Sequence, residues 1–535
     1  MDIHVILVSS IVLSAFGFGV VHGQVLSCNQ TPYPVTCHYF IEASKLPASN
    51  EMSGLSFRDT TLRVTLEQAY EAYRVIYSMD MSSVEMRAKV AWGDCLELYE
   101  DNVHQLNQTI FTSSTLDKPP TIDDVQTYLS AAIANDEICK NGFMDLNLAS
   151  HLESFPSVLT NFSELLINAL AINKASPIPS SPPVSRSPSI GNRRLLANGF
   201  PSWVSMTERK LLQSTTSATT ADLVVAMDGT GDYKTISEAI NASKKLRSGT
   251  KRFIIYVKKG IYNENVVVTN KMKNLMLIGD GIDATVVTSN KNVQDGSTTY
   301  RSATFGVSGD GFIAKGITFE NTAGPQKHQA VAFRSGSDLS VFYECSFKGY
   351  QDTLYVYSKR QFYKECDIYG TIDFIFGDAA VVFQSCGIYA RKPMSNQANT
   401  ITAQARSDPN ENTGIVIHNS IIDAAPDLKP VQGSVRTFLG RPWHQYSRSV
   451  VVKSAIGGLV DPAGWAPWDG DFGINTLYYG EYMNTGPGAD TSHRVKWPGY
   501  HLITSPAEAG KFSVQDFLAG DAWIPATGVP FTAGL

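Results

Sequence analysis

A short triplet, cysteine followed by any residue and then an apolar residue, recurs in the C-terminal half of this 535-residue chain. Its copies begin at Cys345, Cys366 and Cys386. A nearly constant spacing of about 20 residues, with one short apolar strand per repeat, is typical of a solenoid. The second candidate architecture is a β-sandwich, but its antiparallel strands usually follow one another every ~8–12 residues. The spacing therefore predicts a parallel β-solenoid.

Two carboxylates and two amides recur at nearly the same interval. Asp352 and Asp373 are separated by the interval between the first two triplets, and the separation of Gln329 and Gln351 is almost equal to it. In a parallel solenoid, equivalent positions of adjacent coils lie about 4.8 Å apart. Two stacked carboxylates cannot both ionise easily, so one of them should hold its proton near neutral pH. The repeat therefore predicts two carboxyl groups and two amides in one surface patch.

The chain begins with an apolar segment over residues 3–21. Residues 21–23 offer compact side chains at the positions that a signal peptidase reads. An uncleaved signal anchor is the alternative, because the segment could nearly span a bilayer. The glycines, the serines and the missing basic flank favour a signal peptide over residues 1–23 and hence secretion. No later stretch of the sequence is apolar enough to cross a membrane.

Residues 24–174 carry apolar residues at three- and four-residue spacing, which predicts long helices. Long helices with short connections favour an antiparallel four-helix bundle. No cluster of titratable residues in this part of the sequence resembles an active site. A packing or interaction domain is therefore the better interpretation.

Residues 175–220 are rich in Ser, Pro and Thr, which indicates an extended linker. The linker contains two similar tetrads, Arg-Arg-Leu-Leu at 193–196 and Arg-Lys-Leu-Leu at 209–212. A basic pair in an exposed linker is a plausible protease site, and a solvated charge pair is the alternative. The repetition of one motif favours proteolytic processing near these tetrads.

Residues 221–535 consist of short β-rich runs that end in Gly, Asn or Asp turns. The net charge of the chain is -6, but this part is close to neutral. It lacks the strong positive field of a nucleic-acid-binding protein. A near-neutral protein can still approach an anionic polysaccharide.

Seven cysteines in a secreted chain predict disulfides. Cys28 and Cys37 flank a short turn, and Cys95 and Cys139 of the same region can form a second pair. Four sequons are compatible with secretion and N-glycosylation. They begin at Asn29, Asn107, Asn161 and Asn241.

The remaining cysteines lie in the repeated triplets. Cys345 and Cys366 are expected on adjacent coils, where about 4.8 Å suits the Cα separation of a disulfide. Cys386 fits almost equally well as the partner of Cys366. The prediction is a disulfide between Cys345 and Cys366, and a bond between Cys366 and Cys386 stays open as the alternative. Either pairing leaves one cysteine without a partner.

Five motifs follow one another in the C-terminal part. They are Gly-Ile-Tyr-Asn-Glu (260–264), Gln-Ala-Val-Ala-Phe-Arg (329–334), Gln-Asp-Thr-Leu (351–354), Gly-Thr-Ile-Asp-Phe-Ile-Phe-Gly (370–377) and Leu-Gly-Arg-Pro-Trp (439–443). Together they resemble the motif set of plant pectin methylesterases over residues 222–535. The N-terminal part resembles the pectin methylesterase inhibitor domain, and its first four cysteines match the two disulfides of that domain. The resemblance implies a right-handed parallel β-helix behind an inhibitor-like pro-region.

The resemblance also implies a reaction, the hydrolysis of galacturonate methyl esters in pectin to methanol and acidic pectin. It makes Asp373 the nucleophile, which forms an acyl-enzyme, and Asp352 the proton donor. Arg441 can pair with Asp373 and keep it ionised. Gln329 and Gln351 supply amide donors to the oxyanion. No metal and no cofactor are needed.

Thr299, Gln329, Arg441 and Trp443 match substrate-binding positions of the family. Trp443 can offer an aromatic face to a sugar ring, and ordinary packing beside the preceding proline is its alternative. Thr299 can instead be a turn residue, and the two glutamines can form a structural amide ladder. The implied partners are partly methyl-esterified polygalacturonate, inhibitor proteins and a subtilisin-like processing protease. The implied location is the cell wall outside the plant cell (apoplast).

Asp378 departs from the family pattern, which more often has Asn after the 370–377 motif. A further carboxylate so near Asp373 is expected to raise the pKa of the catalytic acid and to move the pH optimum upward.

Two other functions compete with the esterase. Carboxylates about 5 Å apart also suit a retaining glycoside hydrolase, and a galacturonan lyase would share the solenoid. The other possibility is non-catalytic, with the helical bundle binding a separate esterase. Methanol release without new chain ends distinguishes the esterase from the first alternative. Inhibition of a separate esterase by the isolated bundle tests the second.

Overall fold

The computed structural model describes residues 27–42, 56–79, 81, 84–110, 119–176, 221–247 and 249–535. The predicted signal peptide and both basic tetrads of the linker lie outside these residues. Among the described helices, none combines the length and the apolarity that a membrane crossing requires.

Four long helices pack together in the described part of the N-terminal region. The helices of this region are α1 (Pro34–Cys37), α2 (Phe57–Ser78), α3 (Met86–Thr109), α4 (Ile122–Asp145) and α5 (Ser157–Ala175). Helix α3 packs against α2 and α4, and α5 packs against the same two helices. At the start of α4, Thr121 and Asp124 form a capping box, which satisfies two free N–H groups of the first turn. The predicted four-helix bundle is confirmed.

Two disulfides hold this region together. Cys28 is bonded to Cys37, with the Cα atoms 5.3 Å apart, and Cys95 is bonded to Cys139, with the Cα atoms 4.5 Å apart. The second bond joins α3 to α4. Both predicted N-terminal pairings are confirmed.

The described part of residues 221–535 is built from short strands and three short α-helices. In chain order the strands are β1 (Leu223–Val225), β2 (Phe253–Val257), β3 (Gly260–Asn263), β4 (Val266–Val268), β5 (Leu275–Gly279), β6 (Thr285–Ser289), β7 (Phe305–Val307), β8 (Ile313–Lys315), β9 (Thr318–Asn321), β10 (Phe333–Ser335), β11 (Ser340–Tyr343), β12 (Ser346–Lys348), β13 (Leu354–Val356), β14 (Arg360–Lys364), β15 (Asp367–Gly370), β16 (Ile375–Gly377), β17 (Ala380–Gln384), β18 (Gly387–Ala390), β19 (Asn399–Gln404), β20 (Gly414–His418), β21 (Ile421–Ala424), β22 (Thr437–Gly440), β23 (Arg448–Val452), β24 (Ala455–Ile456), β25 (Tyr478–Tyr482) and β26 (Tyr500–Leu502). The helices are α6 (Ile236–Leu246), α7 (Pro506–Gly510) and α8 (Val514–Leu518).

The strands wind into one right-handed parallel β-helix with three sheets. Each central coil gives one strand to each sheet in turn, so that β14, β15 and β16 lie beside β11, β12 and β13 of the preceding coil. Leu354 of β13 lies opposite Ile375 of β16, and Phe347 of β12 lies opposite Ile368 of β15. Both pairs are parallel, and the partners are separated along the chain by the interval between the first two cysteine triplets. This register confirms the period that the sequence predicted.

The core inside the coils is filled by side chains stacked in register. Tyr363 of β14 stacks on Phe342 of β11 at 4.4 Å and on Phe383 of β17 at 4.6 Å, measured between ring centroids. Helix α6 adds Ile236 and Ile240 to the same core and covers the first coil. Covering the open end of a solenoid shields its exposed edge.

The corner between the first and second strand of a coil has a repeated backbone conformation. One residue at this corner has φ near +50°, in the left-handed region, and a cysteine, serine or asparagine follows it. The left-handed residues are Glu344, Glu365, Ser385, Asn419, Lys453 and Met483. The residues that follow them are Cys345, Cys366, Cys386, Ser420, Ser454 and Asn484. The cysteine triplets therefore mark a corner of the coil.

The three corner cysteines are free thiols, so the predicted disulfide between Cys345 and Cys366 is wrong. The alternative pairing of Cys366 with Cys386 does not form either. Each side chain instead lies buried and donates to a backbone carbonyl, as Cys366 Sγ does to Phe342 O at 3.4 Å. Stacking on adjacent coils sets the spacing of Cα atoms, but a disulfide also needs Cβ atoms that point at each other.

We expect exhaustive alkylation of the denatured, unreduced protein to modify three thiols, and alkylation after reduction to modify all seven cysteines. Mass spectrometry measures both numbers. The folded protein should resist labelling, because the three thiols are buried. A single reactive thiol in the denatured, unreduced chain would show that a third disulfide exists.

Candidate active site

The two predicted carboxylates meet at a corner of adjacent coils. Asp352 and Asp373 each stand two positions before the opposed residues Leu354 and Ile375. The backbone N–H of Asp352 donates to the carbonyl of Ile372 at 3.0 Å, which keeps the two corners in register. Both aspartates adopt the left-handed conformation, with φ of 62° and 51°. Both side chains line one cleft of about 680 Å³.

Asp373 is held on both of its oxygens. Arg441 Nε donates to Oδ1 at 2.8 Å, and Nη2 donates to Oδ2 at 2.5 Å. Thr400 Oγ1 donates to Oδ1 at 2.6 Å and accepts the backbone N–H of Asp373 at 2.9 Å. A two-point contact of this kind fixes both the position and the plane of a carboxylate. Oδ1 accepts two of these hydrogen bonds and Oδ2 accepts one, so Oδ2 keeps more of its electron pairs for attack.

Asp352 has a different electrostatic environment. Burial raises its pKa well above the usual value, and the neighbouring charges of Asp373 and Asp145 raise it further, while Arg441 acts in the opposite direction. Burial and nearby negative charge both disfavour the ionised form of a carboxyl group. The two carboxyl groups therefore differ, because Arg441 contacts both oxygens of Asp373 and the surroundings of Asp352 favour its protonated form.

The two predicted amides lie on the wall of the same cleft. The backbone N–H of Ala330 donates to the carbonyl of Gln351 at 3.2 Å, which places Gln329 and Gln351 on adjacent coils. Both side chains line the cleft together with Thr299. The amides can thus approach a group bound in front of Asp373.

Aromatic side chains form another part of the wall. Trp443 lies against Phe376, with the ring centroids 5.9 Å apart, and Phe376 stacks on Tyr355 at 4.2 Å. Trp468 lies under the guanidinium group of Arg441 at 4.3 Å. Flat apolar faces of this kind suit the packing of a sugar ring.

Three of these residues were missed in the sequence. Thr400 lies farther along the chain from Asp373 than one regular interval, because the loop between β18 and β19 is longer than the loop between β15 and β16. Tyr355 is the second residue of β13, and its outward direction could have been read from the strand alternation that starts at Leu354. Trp468 lies in a loop outside every repeat, and no sequence signal connects it to the cleft.

Asp378 lies in a hydrogen-bonded environment of its own. Its Oδ1 accepts hydrogen bonds from Gln404 Nε2 at 3.0 Å and from Thr413 Oγ1 at 2.6 Å. Burial raises its pKa, and so does the adjacent Glu411. The strongest influences on Asp352 come from other residues. The expected effect of Asp378 on the catalytic acid stays a prediction that this geometry does not support, because Asp378 forms a buried carboxyl pair with Glu411.

The helical bundle forms the remaining wall of the cleft. The last turns of α4 contribute Ile138, Asn141, Met144 and Asp145 to the lining. Asp145 Oδ2 accepts the backbone N–H of Thr299 at 2.8 Å. The bundle thus forms part of the cleft that contains the carboxylate pair. Within the described residues, no group of His, Cys, Asp or Glu side chains is arranged to hold a metal ion.

Known proteins resemble both parts of the chain. The pectinesterase family model matches residues 222–521, and the plant invertase/pectin methylesterase inhibitor model matches residues 25–172. Pectinesterase 2 of Citrus sinensis is 50% identical, with 100% of both chains covered. The probable pectinesterase/pectinesterase inhibitor 6 of Arabidopsis thaliana is 50% identical, over 96% of this chain and 94% of the relative.

Solved structures match the β-helix. Pectin methylesterase from carrot is 56% identical with a TM-score of 0.59, over 60% of this chain and 100% of the carrot chain. Pectin methylesterase from Aspergillus niger is 33% identical with a TM-score of 0.50, over 58% of this chain and 96% of the fungal chain. The full-length identity to plant relatives and the match of the family model to most of the β-helix lead to one conclusion. The chain belongs to the pectinesterase family.

Proposed function

We propose that residues 221–535 demethylesterify pectin with Asp373 as the nucleophile and Asp352 as the proton donor. The observation that carries this assignment is the difference between the surroundings of the two carboxyl groups. Arg441 and Thr400 fix Asp373 through both of its oxygens, whereas burial beside it raises the pKa of Asp352. One group is therefore ready to attack, and the other is ready to give a proton.

The reaction proceeds in two halves. Oδ2 of Asp373 attacks the carbonyl carbon of the methyl ester, and the amides of Gln329 and Gln351 donate to the oxygen that becomes negative. The bond to the methoxy group then breaks, Asp352 protonates the leaving group, and methanol departs. An anhydride now joins the galacturonate unit to Asp373.

Water completes the cycle. The ionised Asp352 takes a proton from a water molecule, which attacks the galacturonate carbonyl carbon. The bond to Asp373 breaks, the free acid of galacturonate forms, and Asp352 is protonated again. No redox step is involved, and the chain's own side chains supply every proton transfer.

We further propose that the chain is a secreted precursor whose bundle closes the cleft until the linker is cut. The support is the position of α4, which lines the same cleft as Asp352 and Asp373. A polymer such as pectin cannot pass through a cleft closed on that side. A subtilisin-like protease acting near residues 193–196 or 209–212 would separate the two parts in the cell wall.

The nucleophile assignment predicts that Asp373→Asn abolishes methanol release from pectin and that Asp352→Asn lowers kcat by about 10²–10⁴-fold. Methanol release by the linker-cut protein measures both effects. Substantial activity of Asp373→Asn would contradict the assignment. New reducing or unsaturated ends from the wild type, without methanol, would indicate a glycosidase or a lyase instead.

The raised pKa of Asp352 predicts the alkaline side of the pH profile. The rate falls as the pH rises through this pKa, because the ionised group cannot protonate the departing methoxy oxygen. In the linker-cut protein Asp373 still raises this pKa, although removal of the bundle takes away the charge of Asp145, so the fall should lie above the usual aspartate value of about 3.9. Asp378→Asn should leave it in place, since Asp378 faces Glu411 and Thr413. A displaced alkaline limb in this variant would restore a role for Asp378.

The precursor proposal predicts low activity of the uncut chain and a rise on cleavage of the linker. Replacing residues 209–212 by the recognition sequence of a site-specific protease allows the same sample to be assayed before and after cutting. The control is the unaltered chain treated with the same protease. Full activity before cutting would contradict the proposal.

A further inference from the structure

One edge of the cleft receives three acidic side chains of the bundle. This edge, residues 298–301, is called the anion edge below. Asp94 and Glu97 of α3 and Asp145 of α4 all contact it. The contacts are Thr298 Oγ1 to Asp94 Oδ2 at 2.5 Å, Thr299 N to Asp145 Oδ2 at 2.8 Å, Tyr300 Oη to Glu97 Oε1 at 3.1 Å, Arg301 Nη2 to Glu97 Oε2 at 3.4 Å, and an ion pair of Arg301 Nε with Asp94 Oδ1.

The donors of the anion edge all belong to the β-helix part of the chain. The backbone N–H of Thr299 and the hydroxyl of Thr298 lie in a turn that has two backbone hydrogen bonds of its own, from Arg301 N–H and Ser302 N–H to Thr298 O at 3.1 and 2.9 Å. Arg301 adds a positive charge, and the contacts of its guanidinium group with Asp94 and Glu97 are contacts with the bundle. Removal of the bundle therefore leaves a row of hydrogen-bond donors and a cation beside the cleft.

A second cation lies beneath this edge. Arg334 is only 4% exposed, and its guanidinium carbon lies 3.4 Å from the centre of the Tyr300 ring. Its Nε and Nη1 atoms have no hydrogen-bond partner among the described residues. A buried arginine whose donors are not all paired creates a positive potential at the surface above it. Arg334 thus strengthens the attraction of the edge for anions.

The anion edge is continuous with the reaction site. Thr299 and Tyr300 line the same cleft as Asp352 and Asp373. A polymer whose ester lies at Asp373 therefore places a neighbouring sugar unit beside the edge. That neighbour carries either a neutral ester or, where the polymer has already been hydrolysed, a carboxylate.

We propose that the anion edge binds the free carboxylates of partly de-esterified pectin, and that Asp94, Glu97 and Asp145 close the cleft by occupying the positions of those carboxylates. The inference rests on the proposed esterase function and deepens it. Arg301 becomes the residue through which the enzyme prefers esters that lie next to units already hydrolysed. The acidic side chains of the bundle then block the enzyme by occupying the site that binds the polyanionic product of the reaction.

The first test uses the linker-cut protein after removal of the bundle, with Arg301→Gln. We expect KM for pectin with mostly free carboxyl groups to rise about five-fold, as for the loss of an exposed ion pair. KM for almost fully esterified pectin and kcat on both polymers should stay near the wild-type values. Arg301→Lys keeps the charge and should restore most of the affinity.

Two results of this test would overturn the inference. One is an equal rise of KM on both polymers, which indicates a structural role for Arg301. The other is an unchanged KM on both. A wild-type enzyme that releases no methanol would instead contradict the proposed function itself, so the two failures are distinguishable.

The second test concerns the bundle. After cutting, the wild-type bundle should be displaced from the β-helix by unesterified oligogalacturonate, as measured by size-exclusion chromatography. In the uncut chain, Glu97→Gln combined with Asp145→Asn should raise methanol release. The matched control is Glu100→Gln, since Glu100 lies on the same helix but pairs with the exposed Lys271 outside the anion edge. The proposal that the bundle imitates the product would be overturned by either of two results. One is an equal rise of methanol release in the control and the double variant, and the other is a bundle that oligogalacturonate does not displace.

Discussion

The register of the coils is the constraint on which the site depends. Parallel pairing of β13 with β16 sets Leu354 opposite Ile375, and this pairing alone brings Asp352 beside Asp373. Two carboxyl groups so close repel each other when both are ionised, and burial increases the repulsion. The β-helix offsets this by supplying Arg441 and Thr400 from later coils. The core stacking that fixes the register therefore also sustains the chemistry.

Much of this register could be read from the sequence. The cysteine triplets gave the correct period because they mark a corner at which one residue is left-handed and a small polar residue follows. The same triplets led to a wrong disulfide. The period of the repeat predicts the positions of Cα atoms along the solenoid axis. It does not predict the direction of each side chain. The thiols of Cys345, Cys366 and Cys386 point into the turns and bond to carbonyl oxygens.

Residues outside the regular interval could not be found by the same reasoning. Thr400 follows a longer loop, Arg441 was assigned from the resemblance, and Trp468 lies in a connecting loop. The contact of Asp145 with Thr299 spans 154 residues and joins two domains that share no repeat. Pattern reasoning works within an element or between equivalent coils. It cannot predict a contact between two surfaces whose sequence patterns are unrelated.

The cleft shared by the bundle and the β-helix brings several acidic groups together. Asp145 adds a third carboxyl group near Asp352 and Asp373, and its pKa is raised by burial. Ionised carboxyl groups that share a buried cleft repel one another and oppose docking, so other contacts must outweigh this repulsion. The apolar surface shared by the bundle and the outer face of the β-helix, which includes Tyr355 and Phe376, supplies one such contact. The anion edge supplies the other, because its donors give hydrogen bonds to carboxylates that water would otherwise solvate. An enzyme whose product is a polyanion already needs such donors, and an acidic domain can dock on them without any new recognition surface.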